Sequence, residues 1–189
     1  MHIGHLALSA TDVERSASFL SDILGLRRTY EENGAVSLSC NEKHHEIELL
    51  PGDRAGIDHL GLEVEDERDL DALRDALIAS GAQILSETPQ EHGLRQAIRA
   101  VSPMGLVLEL YTGMEREPLS VEHYMPPLAR RFGHVTFAVT ERKDMERVGF
   151  SPQINESSVP RAFPIDAAVV KLPLRALEFL HRMLVAQMP

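Results

Sequence analysis

Apolar and polar side chains alternate loosely over residues 3–9, the two-residue period of a strand. The period then lengthens. Val13, Ala17, Leu20 and Leu24 fall at helical spacing behind Asp12, a residue type that caps helix N-termini, so an amphipathic helix is predicted over 13–24. Gly25 stands where a left-handed C-terminal cap belongs. Three strands follow over 26–30, 35–40 and 46–50. Asn33-Gly34 supplies the hairpin turn between the first two, and Pro51-Gly52 closes the unit.

The same order then recurs. A strand is predicted over 59–64, a helix over 67–80 with Leu70, Leu73, Leu77 and Ile78 on one face, and strands over 83–87, 96–101 and 106–111. Gly81 ends the helix, and Pro103-Met104-Gly105 turns the chain into the last strand. Strand, helix and three strands thus appear twice, about 54 residues apart, and such an internal repeat organises everything after it. The first strands align, Gly4-His5-Leu6-Ala7-Leu8 with Asp58-His59-Leu60-Gly61-Leu62. The fourth strands align too, Ile47-Glu48-Leu49 with Leu108-Glu109-Leu110. The predicted fold class is α+β: tandem βαβββ units forming a curved mixed-sheet cup, with an irregular, helix-ended C-terminal extension.

Domain boundaries follow from the repeat. Residues 1–112 form the paired domain, with units 1–52 and 57–112. Residues 113–132 read as a linker containing Pro118, Pro126 and Pro127. Residues 133–189 read as an incomplete third unit and a C-terminal helix. Gly133-His134-Val135 opens a third copy of the first strand. The proline-bearing stretch 150–173 reads as irregular, and 174–188 reads as a helix too polar to span a bilayer.

Composition narrows the function. The hydrophobic fraction of 43% and charged fraction of 25% are those of an ordinary globular chain. A formal net charge of −10 suits neither a nucleic-acid backbone nor an anionic membrane surface. No apolar run reaches membrane-spanning length, and no secretory signal is visible, so a cytoplasmic protein is expected. Cys40 is a single thiol and reads as a half-buried strand residue.

The repeat also places polar groups. His5 and His59 occupy equivalent first-strand positions, and Glu48 and Glu109 occupy equivalent fourth-strand positions. Two imidazoles and a carboxylate on one point make a facial site that leaves a divalent metal with open positions. His5, His59 and Glu109 are therefore the expected metal ligands. Glu48 is a fourth candidate, as a ligand or as a catalytic proton carrier. Glu46 is expected to point away, and His44 and His45 read as loop residues. His92, in the loop 90–93, could reach over the cup as a substrate or acid–base residue. A Gly-rich phosphate loop, a nucleophile elbow and a Cys-x-x-Cys pair are all missing from the sequence.

These features resemble the vicinal oxygen chelate superfamily, which includes glyoxalase I, fosfomycin-resistance proteins, bleomycin-binding proteins and extradiol dioxygenases. Residues 12–19 through Leu24-Gly25-Leu26 look like the family's first helix. Ser102-Pro103-Met104-Gly105 stands where many members carry an Asp-Pro-x-Gly turn. The Leu108-Glu109-Leu110-Tyr111 strand, the linker and Gly133-His134-Val135 follow the order of extradiol ring-cleavage enzymes. In those two-domain enzymes the iron belongs to the C-terminal domain, and only 56 residues remain here from His134 onward. The resemblance implies a metal-dependent extradiol-type dioxygenase acting on a catecholic aromatic. Fe(II) is the favoured metal, with Mn, Zn or Ni open, and a homodimer is implied. Two alternatives stay open: a glyoxalase-type lyase or isomerase that also uses Glu48, and a metal-free small-molecule binder.

Overall fold

Local chemistry starts both helices where the periodicity places them. The Asp12 side chain accepts the Arg15 amide at 2.9 Å, capping α1 (Val13–Leu24). Gly25 ends α1 in the left-handed conformation at φ 70, a cost that glycine avoids. Helix α2 (Glu67–Ala79) buries Leu70, Leu73 and Leu77 along one stripe. The computed structural model describes residues 2–79, 81–102 and 105–119, with the strands Thr136–Val139, Gln153–Ile154 and Ala168–Lys171.

Eight strands form one sheet: β1 (His2–Ala10), β2 (Arg27–Glu32), β3 (Ala35–Ser39), β4 (Ile47–Pro51), β5 (Gly56–Glu63), β6 (Gln83–Ser86), β7 (Leu94–Val101) and β8 (Val107–Met114). Their spatial order is β2-β3-β4-β1-β5-β8-β7-β6. The first four strands make one half and the last four the other, so each predicted unit contributes a contiguous half-sheet. Within each unit the first and fourth strands pair in parallel, β1 with β4 and β5 with β8. The halves meet where β1 pairs antiparallel with β5.

Each half carries its own helix. Ala17 of α1 joins Leu26, Val36, Leu38 and Leu49 in one core cluster. The α2 leucines pack with Leu60, Leu62, Ile98, Leu108 and Leu110 in another. Alternation along β5 and β8 then turns His59 and Glu109 to the face opposite the helices. In β1 a register shift between Ile3 and His5 resets that alternation. Ile3 therefore joins the α2 core, while His5, two residues later, serves the other face.

The last strand of the paired domain is longer than predicted. Gly113 and Met114 continue β8 rather than open a linker. Farther on, β9 (Thr136–Val139) lies within the predicted third first-strand. It pairs antiparallel with β11 (Ala168–Lys171), which also pairs antiparallel with β10 (Gln153–Ile154). The stretch 150–173, read as irregular because of its prolines, thus holds two short strands between them. His134 and the predicted helix 174–188 lie outside the described residues.

Glu63 ties the rim of the cup together. Its carboxylate accepts from His2 Nε2 at 2.9 Å and from Lys43 Nζ at 2.9 Å, joining the start of β1, the β3–β4 loop and the end of β5. These partners hold its carboxyl down at about 2, against an ordinary value of 4.5. The folded pKa is depressed, so the contribution to stability is complete above about 4.5 and is lost as pH falls towards 2. Glu63→Gln is expected to cost roughly 2 kcal/mol at pH 7, the worth of hydrogen bonds to a charged group. It should also flatten the pH dependence between 4.5 and 2, measured by urea denaturation across that range.

Candidate metal centre

The β1–β5 register builds the site. His5 sits opposite Gly61, and His59 sits opposite Ala7. In the flanking parallel ladders Glu109 lies beside Gly61 and Glu48 beside Ala7. The four sequence candidates therefore occupy symmetry-matched places around the seam. Gly61 is part of the construction, since a Cβ there would overlap the His5 imidazole. The His5 ring leans on Tyr111, with centroids 5.2 Å apart and planes tilted by 36°.

Three of the four converge. His5 Nε2 and His59 Nε2 lie 3.1 Å apart, and Glu109 Oε2 lies 3.4 Å from the first and 3.6 Å from the second. All three side chains are fully buried. Glu109 Oε2 has no hydrogen-bond partner, although buried polar atoms almost always find one. The triangle is about what three ligands of one ion form when each bond is ~2.0–2.2 Å long. Nitrogen, nitrogen and oxygen donors suit a divalent transition metal. The residues present fit the ion that the sequence pattern calls for.

Two further residues enter from outside the predicted set. Glu91, from the loop between β6 and β7, reaches inward. Its Oε2 lies 3.1 Å from His5 Nε2 and 3.2 Å from His45 Nε2, and its Oε1 contacts His59 Nε2. The donor atoms of His5, His59, Glu91 and Glu109 all lie within 4.8 Å of one another. Arg99 of β7 donates from Nε to Glu109 Oε1 at 3.1 Å and from Nη2 to Glu91 Oε1 at 2.6 Å. His59 is oriented from behind by Asp58 Oδ1, 2.8 Å from its Nδ1.

Glu91 carries no signal in the sequence, because the repeat marks only positions with a counterpart. In the first unit the matching connection is the two-residue Asn33-Gly34 turn, with both residues at positive φ. His45 lies in the β3–β4 loop, as expected, yet its side chain is fully buried against His5, with ring centroids 4.6 Å apart. His92 does not join His5 and His59. It stacks on Tyr30 at 4.0 Å and faces His44. Glu46 engages the Cys40 thiol and Asn41 Nδ2, the latter at 2.7 Å. Strand alternation would put Glu46 and Glu48 on one face, so this local bonding, not the pleat, gives Glu46 its separate role.

Burial sets the protonation of the cluster. It would lower His59, but Asp58 and Glu91 reverse the effect and lift it to about 9. His5 is raised in the same way: burial opposes its charge, and Glu109 and Glu91 prevail. His45 drops to about 4: burial lowers it most, Glu91 only partly offsets that, and the charge of His5 lowers it further. Burial would raise Glu91, yet the three imidazoles hold it well below the usual carboxylate range. Glu48 rises to about 8 through burial and then the charge of Glu91.

A model of the Glyoxalase/Bleomycin resistance protein/Dioxygenase superfamily matches residues 2–110. The chain belongs to that superfamily. Among its relatives, a manganese-dependent 2,3-dihydroxybiphenyl 1,2-dioxygenase from Geobacillus genomosp. 3 is 31% identical over 116 residues, 60% of this chain and 37% of that protein. A 2,2',3-trihydroxybiphenyl dioxygenase from Sphingomonas paucimobilis is 28% identical over 120 residues, 59% of this chain and 41% of that protein. The Mn(II)-bound glyoxalase from Novosphingobium aromaticivorans superposes with a TM-score of 0.69 at 22% identity. That match covers 79% of this chain and 50% of the other, and it shows the shared superfamily fold. The chain therefore spans about two-fifths of the length of the curated relatives it matches. No helix among the described residues is long and apolar enough to cross a membrane.

The close approach at Gly61 gives a direct test of the packing. Gly61→Ala should force the His5 ring aside and cost roughly 1–3 kcal/mol, as overpacking does. Gly56→Ala lies on the same strand, where an added Cβ meets nothing within 4 Å. It should change stability by less than about 0.5 kcal/mol. Urea denaturation of both variants makes the comparison.

Proposed function

We propose that this protein is a metal-dependent, extradiol-type dioxygenase of its superfamily, acting on a catecholic aromatic. The observation that carries the reading is the buried triangle of His5 Nε2, His59 Nε2 and Glu109 Oε2. Fe(II) or Mn(II) held there would supply adjacent open positions for the two hydroxyl oxygens of a catechol and for dioxygen. The protein's own part is orientation. Asp58 fixes the His59 ring, Arg99 holds one oxygen of Glu109, and Tyr111 and Gly61 set the His5 ring. Glu91, delivered by a loop and bonded to Arg99, faces the positions that a catechol and dioxygen would take.

The glyoxalase-type alternative gives Glu48 a ligand's role. Glu48 stands outside the donor cluster around His5 and His59, which favours the dioxygenase reading. The metal-free reading has an observation of its own. Arg99 Nη2 lies 3.4 Å from His59 Nε2 and bonds Glu91, so an internal cation already serves the carboxylates.

Metal analysis separates these readings. Protein purified without chelators and loaded with Mn(II) or Fe(II) should hold one more ion per chain than His59→Ala or His5→Ala. Anaerobically loaded ferrous protein given a catechol should then take up oxygen and form a yellow ring-fission product. Equal metal content in wild type and both variants would sink the metal site. Metal without oxygen uptake across a catechol panel would move the assignment to the lyase.

A homodimer belongs to the same reading. Phe19, Ile23 and Leu24 are 59%, 61% and 42% exposed on α1, an apolar face that a second copy would cover. Light scattering should give twice the chain mass, falling to one chain mass in Ile23→Asp. A monomeric wild type would end the dimer proposal.

A further inference from the structure

A second group of ligating side chains lies on loops beside the buried cluster. His44 precedes β4, His92 follows Glu91, and Glu115 follows β8. One donor atom from each lies within 4.8 Å of the others. His44 Nε2 and His92 Nδ1 are 3.3 Å apart. That is about the separation of two ligands bound ~2.1 Å from one ion at a near-tetrahedral angle. We propose that His44, His92 and Glu115 form a second metal site, distinct from the His5–His59–Glu109 centre, for a borderline divalent ion such as Zn(II).

Three chain segments are held together to make this site. The His44 amide donates to the Glu115 carbonyl at 2.8 Å, and the Glu115 amide donates to the Gly93 carbonyl at 2.8 Å. Lys43 and Arg116 form a bridge beside them. The three ligand-bearing loops are thus fixed by backbone hydrogen bonds, independently of any ion. Gly93 is shaped for the purpose in two ways. Its φ of +84 suits glycine, and a Cβ there would collide with the His44 ring. Tyr30 closes one side, stacked on His92 with the planes 15° apart.

The neighbouring basic groups are already engaged. Arg27 pairs with Glu117 at 3.3 Å, and Lys43 and Arg116 both reach Glu63. A cation at His44 and His92 would therefore meet Glu115 and a chain of net charge −10. Two imidazoles and one carboxylate favour zinc-like ions over magnesium or calcium. The ligands are half-buried or exposed, so a fourth position stays open to water.

This site also touches the buried centre. His44 Nδ1 lies 2.9 Å from His45 Nδ1, and His45 Nε2 lies 3.2 Å from Glu91 Oε2. Glu91 and His92 are adjacent in one loop. An ion on His92 would fix the loop that delivers Glu91.

The test is to titrate untagged, full-length protein with Zn(II) and count bound ions by calorimetry and metal analysis. Wild type should bind one ion more than His92→Ala, and Glu115→Gln should weaken that ion on the order of tenfold. His59→Ala should keep it. The difference of one ion holds whether or not the buried centre takes metal, so failure of this site and failure of the proposed function are distinguishable. His92 and Glu115 are exposed, and circular dichroism should show both variants folded. Equal Zn(II) stoichiometry and affinity in wild type, His92→Ala and Glu115→Gln would overturn the proposal.

Discussion

The antiparallel pairing of β1 with β5 is the constraint on which the rest depends. It joins two half-sheets and fixes which residues of one unit face which residues of the other. His5 opposite Gly61 and His59 opposite Ala7 are consequences of one register. A slip of one residue would send each imidazole to the helix face and a core leucine into the cup. The α1 and α2 cores resist such a slip, because each buries the alternate residues of the same strands. The hydrophobic effect thus holds the register, and the register holds the ligands.

Burying two histidines and two glutamates together is costly unless their charges are matched. The protein matches them in layers. Arg99 bonds Glu109 and Glu91, Asp58 bonds His59, and Glu91 lies against three imidazoles. Some cost remains visible in atoms without hydrogen-bond partners, Glu109 Oε2 among those of the donor cluster. Such orphans are uncommon in purely structural networks, and they are what a cation would satisfy.

Much of this was legible in the chain. The helix over 13–24 emerged with the predicted bounds, because Asp12 and Gly25 mark both ends with residue types that few other positions need. Offsets between the repeats found His5, His59, Glu48 and Glu109. The repeat could not say that Glu48 would stand apart from the cluster, since symmetry makes it look equal to Glu109. Nor could it reveal Glu91, Arg99 or the burial of His45. Those depend on how an unmatched loop folds inward and on a cross-strand pairing, Arg99 opposite Glu109. Side-chain reach and loop path are tertiary facts with no period to betray them.

The asymmetry between the units is therefore where function enters. The first unit spans its hairpin with Asn33-Gly34, a turn too short to reach anything. The second unit spends residues 87–93 on the same connection. Within that loop neighbouring side chains diverge: Glu91 goes in to His5 and His59, and His92 goes out to Tyr30 and His44. Gly93 then fastens the loop to Glu115 through a backbone hydrogen bond. A symmetric sheet presents equivalent ligands from both halves, and a single longer loop makes those halves unequal. Moving this loop would change the ligand set, the charge balance and the cover of the cup together. That coupling follows from one segment carrying both side chains, and it would persist whether or not the buried donors hold an ion.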